Sequence, residues 1–83
     1  MRIYLQSLEN AGALRFCQLI LQKDMLGGWS FIVETGVQGA PGRVKRSHFQ
    51  SQAEAENALM KQRDKQIAKG FRVVYVEGQS QQP

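Results

Sequence analysis

Alternation of apolar and polar positions predicts a strand first. Arg2-Ile3-Tyr4-Leu5-Gln6-Ser7-Leu8 has the β-branched and aromatic content of one, and Glu9-Asn10-Ala11-Gly12 follows with residues that tolerate a tight turn. Across residues 14–22, Cys17, Leu19 and Leu21 share one face while Phe16, Gln18 and Ile20 share the other. The first set is apolar without a break and is assigned to the core. Lys23 to Gly28 makes the next connection. A third strand, from Trp29 to about Thr35, places Trp29, Phe31, Val33 and Thr35 on one face and Ser30, Ile32 and Glu34 on the other. Gly36 to Gly42 holds three glycines and a proline and reads as a loop. Arg43 to Phe49 then alternates Arg43, Lys45, Ser47 and Phe49 with Val44, Arg46 and His48.

The period changes after Phe49. Ser51-Gln52-Ala53-Glu54 is a capping-box pattern with Phe49 upstream as an apolar anchor. Ala55, Leu59, Met60 and Ile67 fall within an arc of about 140° at 100° per residue, the signature of an amphipathic helix. Arg63 sits inside that arc, so its aliphatic stem is expected along the sheet and its charge in water. Glu54 and Glu56 come early and Lys65 and Lys69 late, in line with the helix dipole, and Gly70 supplies the stop. Residues 71–76, Phe-Arg-Val-Val-Tyr-Val, read as a last strand. The expected fold class is α+β: an antiparallel sheet of about five strands with one helix packed on one face. One helix of about 19 residues covers one face of such a sheet and leaves the other partly open. Residues 1–76 form the single domain, and 77–83 a polar tail expected to be disordered.

Composition narrows the function classes. Eighty-three residues leave room for one domain only, and a 42% hydrophobic content is enough for a globular core. The longest apolar run, Leu19-Ile20-Leu21, is three residues, far below the roughly 18 of a membrane span. The N-terminus turns polar too soon for a signal peptide. A lone Cys17 forms no internal disulfide, which fits a reducing cytoplasm, so a cytoplasmic location is expected. Eleven Lys/Arg against seven Asp/Glu give a net charge of +4, which permits a polyanionic partner.

No catalytic constellation emerges, and an enzyme is not expected. Ser47 and His48 are strand neighbours and point to opposite faces. Glu54 and Glu56, two apart on a helix, diverge by about 200° and form no carboxylate pair. One His and one Cys fall short of the three or four ligands of a protein zinc site, so neither metal nor cofactor is expected. Gly39-Ala40-Pro41-Gly42 lacks the Gly-Lys-Ser/Thr ending of a nucleotide-binding loop, and a strand rather than a helix follows it. The binding candidates are Arg43, Lys45 and Arg46, three positive charges within four residues at the mouth of that loop. The competing reading is an edge strand that its charges protect from aggregation. A second basic row, Lys61, Lys65 and Lys69, recurs every four residues along the helix and reads as a solubilising face.

Several of these segments together resemble a known family. Arg15-Phe16, Leu19-Ile20-Leu21-Gln22, Gly27-Gly28-Trp29-Ser30, Gly39-Ala40-Pro41-Gly42-Arg43-Val44, Phe49, the Glu/Ala-rich helix and Lys69-Gly70-Phe71 are similar to the small bacterial WGR domains. The likeness runs from about residue 2 to residue 72. It implies the same sheet with one helix upon it. In poly(ADP-ribose) polymerases such a domain contacts DNA at breaks and docks against neighbouring domains. The Trp of the naming Trp-Gly-Arg tripeptide packs on nucleic acid there, its Arg reaches toward a partner, and basic residues of the next strand meet phosphates. Aligning the Gly-x-Pro-Gly loop places that tripeptide at Thr35-Gly36-Val37, so only the Gly is kept.

The resemblance and the basic strand give one functional expectation: a non-catalytic module that binds DNA weakly and without sequence preference through Arg43, Lys45 and Arg46, with Arg15 on a neighbouring strand. The alternative is a protein-interaction domain that keeps the scaffold and has lost the nucleic-acid surface. Thr35 has no aromatic face and Val37 no guanidinium. Neither reading requires a membrane or a small-molecule substrate.

Overall fold

Strand β1 (Arg2–Leu8) leads through a meander of β2 (Leu14–Lys23), β3 (Trp29–Val37) and β4 (Arg43–Phe49) into helix α1 (Gln52–Ala68), and β5 (Arg72–Glu77) returns to the sheet. The computed structural model describes residues 1–8 and 12–78; the rest of the turn expected at residues 9–12 and the tail beyond residue 78 lie outside them. The five strands form one sheet in the order β4-β3-β2-β1-β5, and every neighbouring pair is antiparallel. The expected α+β architecture is therefore present, with one helix on the sheet. β3 runs two residues past its expected end because Phe16 and Arg15 of β2 continue the ladder opposite Gly36 and Val37. The last strand is shifted by one residue from the expected 71–76.

The β2 face expected in the core, Cys17, Leu19 and Leu21, is the buried one. Ile3 and Leu5 of β1, Cys17, Leu19 and Leu21 of β2 and Phe31 of β3 are buried beneath α1. Trp29, Val33 and Phe49 pack around that cluster. Each fully buried leucine contributes about 1.5–3 kcal/mol of transfer free energy. The helix rests chiefly on β2 and β3 and barely reaches β5.

The helix departs from the pattern in one respect. Ser51 caps it, its hydroxyl accepting the Glu54 N–H at 3.2 Å, but the buried positions are Ala55, Leu59 and Gln66. Ile67, expected in the apolar arc, is exposed. At 100° per residue Gln66 lies about 20° from Ala55, whereas Ile67 lies about 120° away. Helical angle decides burial here and side-chain polarity follows. Arg63 keeps its stem half-buried and directs its guanidinium to the Asp64 carboxylate at 2.9 Å.

The face opposite the helix carries an aromatic row. The Tyr4 ring lies between Phe16 on β2, at 6.2 Å, and Tyr75 on β5, at 5.4 Å, both nearly parallel to it. Such cross-strand stacking is worth about 0.5–1.5 kcal/mol per pair beyond burial. It ties β5 to the sheet where the helix does not. The rings face one another, so this row is built as packing rather than as a platform for stacked bases.

Candidate functional site

At one end of the sheet, β2, β3 and β4 meet the C-terminus of α1 around a cleft of about 750 Å³. Register explains what lines it. Thr35 stands between Cys17 on β2 and Arg43 on β4, and Arg15 lies opposite Val37. Residues 15, 17, 35 and 43 share the helix side of the sheet because Leu19 and Val33, two steps along, are core neighbours. Arg15, Thr35, Val37 and Arg43 form one wall of the cleft, and Gln66, Lys69 and Phe71 form the other. Two glycines keep the β3–β4 loop tight against the strands. A Cβ on Gly36 would lie 3.0 Å from Gly42 Cα and 3.2 Å from the Phe16 ring, so any larger residue pushes the loop outward.

The electrostatics of the cleft are one-sided. Arg15, Arg43 and Lys69 line it, and among the described residues no carboxylate does. Among the described residues, neither Arg43 nor Lys69 forms an ion pair. The helix C-terminus brings a partial negative charge of about half a unit to the same place. That charge is blunted by a closed cap: Gly70, at φ +101°, lets its N–H reach Ile67 O and the Phe71 N–H reach Gln66 O, each at 3.0 Å. The charges of Arg43 and Lys69 against a capped half-charge leave the cleft cationic. Cys17, next to Thr35 in the ladder, is inert: burial pushes its thiol up to about 11, and the nearby Lys69 charge offsets only part of the rise.

Of the residues the sequence singled out, Arg15 and Arg43 come together here with Thr35, Gly36 and Val37. Lys45 faces the same side as Arg43 but lies opposite Val33, one step outside the cleft. Arg46 is opposite Ile32 and points to the other face of the sheet, so the three cations of β4 are not one patch. Lys69 is the residue sequence reasoning placed elsewhere, in a helical row with Lys61 and Lys65. It is the C-cap, not a position on the helix face, and the Gly70 stop beside it was the available signal.

A second arrangement was missed. Asp24 Oδ1 accepts the N–H groups of Leu26 and Gly28, each at 2.9 Å, and Oδ2 receives His48 Nδ1 at 2.8 Å. His48, expected as a plain strand residue, thus fastens the β2–β3 turn to β4. Those backbone bonds, led by the one from Gly28 and joined by the His48 contact, hold the Asp24 carboxyl below its ordinary range against a smaller effect of burial. Among the described residues no group of three or more His, Cys, Asp or Glu is placed to hold a metal ion, and no helix is long and apolar enough to cross a membrane. No family model, curated protein or solved structure matches the chain.

Proposed function

We propose that the domain is a non-catalytic, WGR-like module that binds the phosphate backbone of DNA without reading its sequence. The observation that carries this is the cleft in which Arg43 and Lys69 converge beside Arg15, with no carboxylate among its described lining residues. Phosphate oxygens are met by guanidinium and ammonium groups at any sequence, and β4 extends the surface through Lys45. The resemblance of the surrounding segments to WGR domains points to the same ligand. Arg46 takes no part in this cleft, since it lies on the far face.

Fluorescence anisotropy with a duplex and a single strand, across a salt series, tests the proposal. Phosphate contacts from Arg43 and Lys69 give a slope of log affinity against log salt of about −1.8 on duplex and about −1.4 on a single strand. Arg43→Ala and Lys69→Ala should each weaken binding threefold to tenfold and reduce the slope by about one contact. Arg46→Ala should leave both unchanged. Binding no tighter than about 10⁻⁴ M at moderate salt, or equal losses at Arg43 and Arg46, overturns the proposal.

A second reading rests on Thr35 and Val37, which line the same cleft with small neutral side chains. Under it the scaffold serves protein contacts and the nucleic-acid surface is gone. The double substitution Thr35→Trp, Val37→Arg tests this second reading. It places an aromatic face and a guanidinium among the existing cations, and a scaffold that has lost its DNA contacts should regain affinity. No change would show that the tripeptide does not lie at these positions.

A further inference from the structure

We infer that the β5 edge is the interface of a homodimer, in which two copies pair β5 with β5 antiparallel and join their sheets into one. The argument begins with what β5 exposes. Val73, Val74, Tyr75 and Val76 are 39–50% exposed, four consecutive apolar side chains at the end of the sheet. α1 leaves them largely uncovered, and among the described residues the backbone groups on the outer side of β5 have no strand partner. A strand of this kind is a template for another strand unless something blunts it.

The ends of the strand name the occupant. β5 begins with Arg72 and ends with Glu77. An antiparallel pairing of two copies centred between Val74 and Tyr75 sets Arg72 opposite Glu77, Val73 opposite Val76 and Val74 opposite Tyr75. Both charged pairs are then satisfied at once by a single two-fold axis, the self-complementarity an isologous interface requires.

Side-chain direction supports the same register. Residues five apart in a regular strand point to opposite faces, which would set Arg72 and Glu77 apart. β5 carries a bulge opposite the Tyr4–Leu5 step, with Val74 as the extra residue. Consequently Arg72, opposite Gln6, and Glu77, opposite Arg2, lie on the same face, while Val73 and Val76, opposite Leu5 and Ile3, lie on the helix side. Both copies therefore present the same charges on the same face, and the two-fold axis runs through the sheet. Arg2 lies 3.4 Å from Glu77 and holds that carboxylate on the open face.

The other edge does not fit as occupant. β4 carries Arg43, Lys45, Arg46 and His48 with Val44 as its exposed apolar residue, and a β5–β4 contact would build an open stack rather than a closed pair. In the β5 dimer both helices lie on the same side, so the two cationic clefts do as well. A six-residue edge pairing is small beside the roughly 800 Å² per partner of stable interfaces, and dissociation is expected on the order of 10–100 µM.

Sedimentation velocity across about 1 µM to 1 mM, the range spanning weak association, tests this with the unmodified chain and three variants. The wild type should move from one-chain to two-chain mass. Arg72→Glu sets two carboxylates opposite each other, and Glu77→Arg two guanidinium groups, so each alone should remain monomeric. Mixed in equal amounts the two variants have complementary strands and should form a heterodimer. Val74→Lys, which brings like charges together at the centre and has no ion pair to lose within its own chain, should also remain monomeric. Thermal melts of each variant control for the Arg2–Glu77 pair. A wild type of one-chain mass at about 1 mM overturns the inference. So does growth beyond two chains, or a mixture that associates no better than its components.

Discussion

The two edges of the sheet are built on opposite plans. β4 carries Arg43, Lys45, Arg46 and His48, so an approaching strand meets positive charge on both faces. β5 has its charges only at its ends, with four apolar side chains between them. Each plan follows from what lies behind the edge. β4 is held by a long register with β3 and by the Asp24–His48 bond, so its side chains are free to be polar. β5 has little helix above it and depends on apolar contact and on the Tyr75–Tyr4 stack. One edge thus repels strands, while the other is suited to pairing.

The largest test of that contrast is Tyr4→Ala. It deletes the middle ring of the row and both stacked pairs, and should cost about 2–3 kcal/mol in denaturant unfolding, given a half-buried aromatic and two ring contacts. The amides of β5 should lose hydrogen-exchange protection before those of β4. A loss under about 0.5 kcal/mol, the ordinary range of a surface change, would show that something other than the row holds β5. The counterpart on the β4 side is Gly28→Ala. The added methyl would overlap the His48 ring and lie 2.7 Å from Phe49 O, so about 1–3 kcal/mol of stability should be lost. Removing the ring with His48→Ala should restore only part of it, because the carbonyl stays in place. Full rescue would assign the whole cost to His48.

Much of this was legible in the sequence, for definable reasons. Alternation marks a continuous apolar side on β2, so Cys17, Leu19 and Leu21 could be placed in the core without knowing the strand order. Ser51 and Gly70 carry their own conformational signals, and both helix ends stand where those put them. What alternation does not contain is the cross-strand register. That is why Arg15 and Arg43 could be named as basic candidates while their convergence with Lys69 could not. The bulge at Val74 was hidden for the same reason: it is a mismatch between two strands and has no signature in Arg72-Val73-Val74-Tyr75 taken alone. The burial of Gln66 in place of Ile67 follows from helical angle, which side-chain polarity alone does not carry.

The smallest expected effect concerns the clamp behind β4. Asp24 is held below its ordinary pKa mainly by the Gly28 N–H, with Leu26 and His48 adding to it. A carboxyl whose folded pKa is depressed binds protons less readily than the same group in the unfolded chain, whose value is about 3.9. The stability it adds is therefore complete above about pH 4 to 5 and drains away as pH falls through the folded value. Asp24→Asn keeps an oxygen to accept backbone N–H groups but has no charge to lose. The melting-temperature gap between wild type and Asp24→Asn should be widest near neutral pH and should narrow steadily as pH falls from about 5 to 2. Every other carboxylate titrates in both proteins and cancels in the difference. The narrowing should be accompanied by lower exchange protection factors at the Gly28 and Leu26 amides and no change in those of β5, where Tyr4 and Tyr75 supply the hold. A gap that stays constant over that range would mean the clamp acts through shape alone and that no charge fastens the β4 edge.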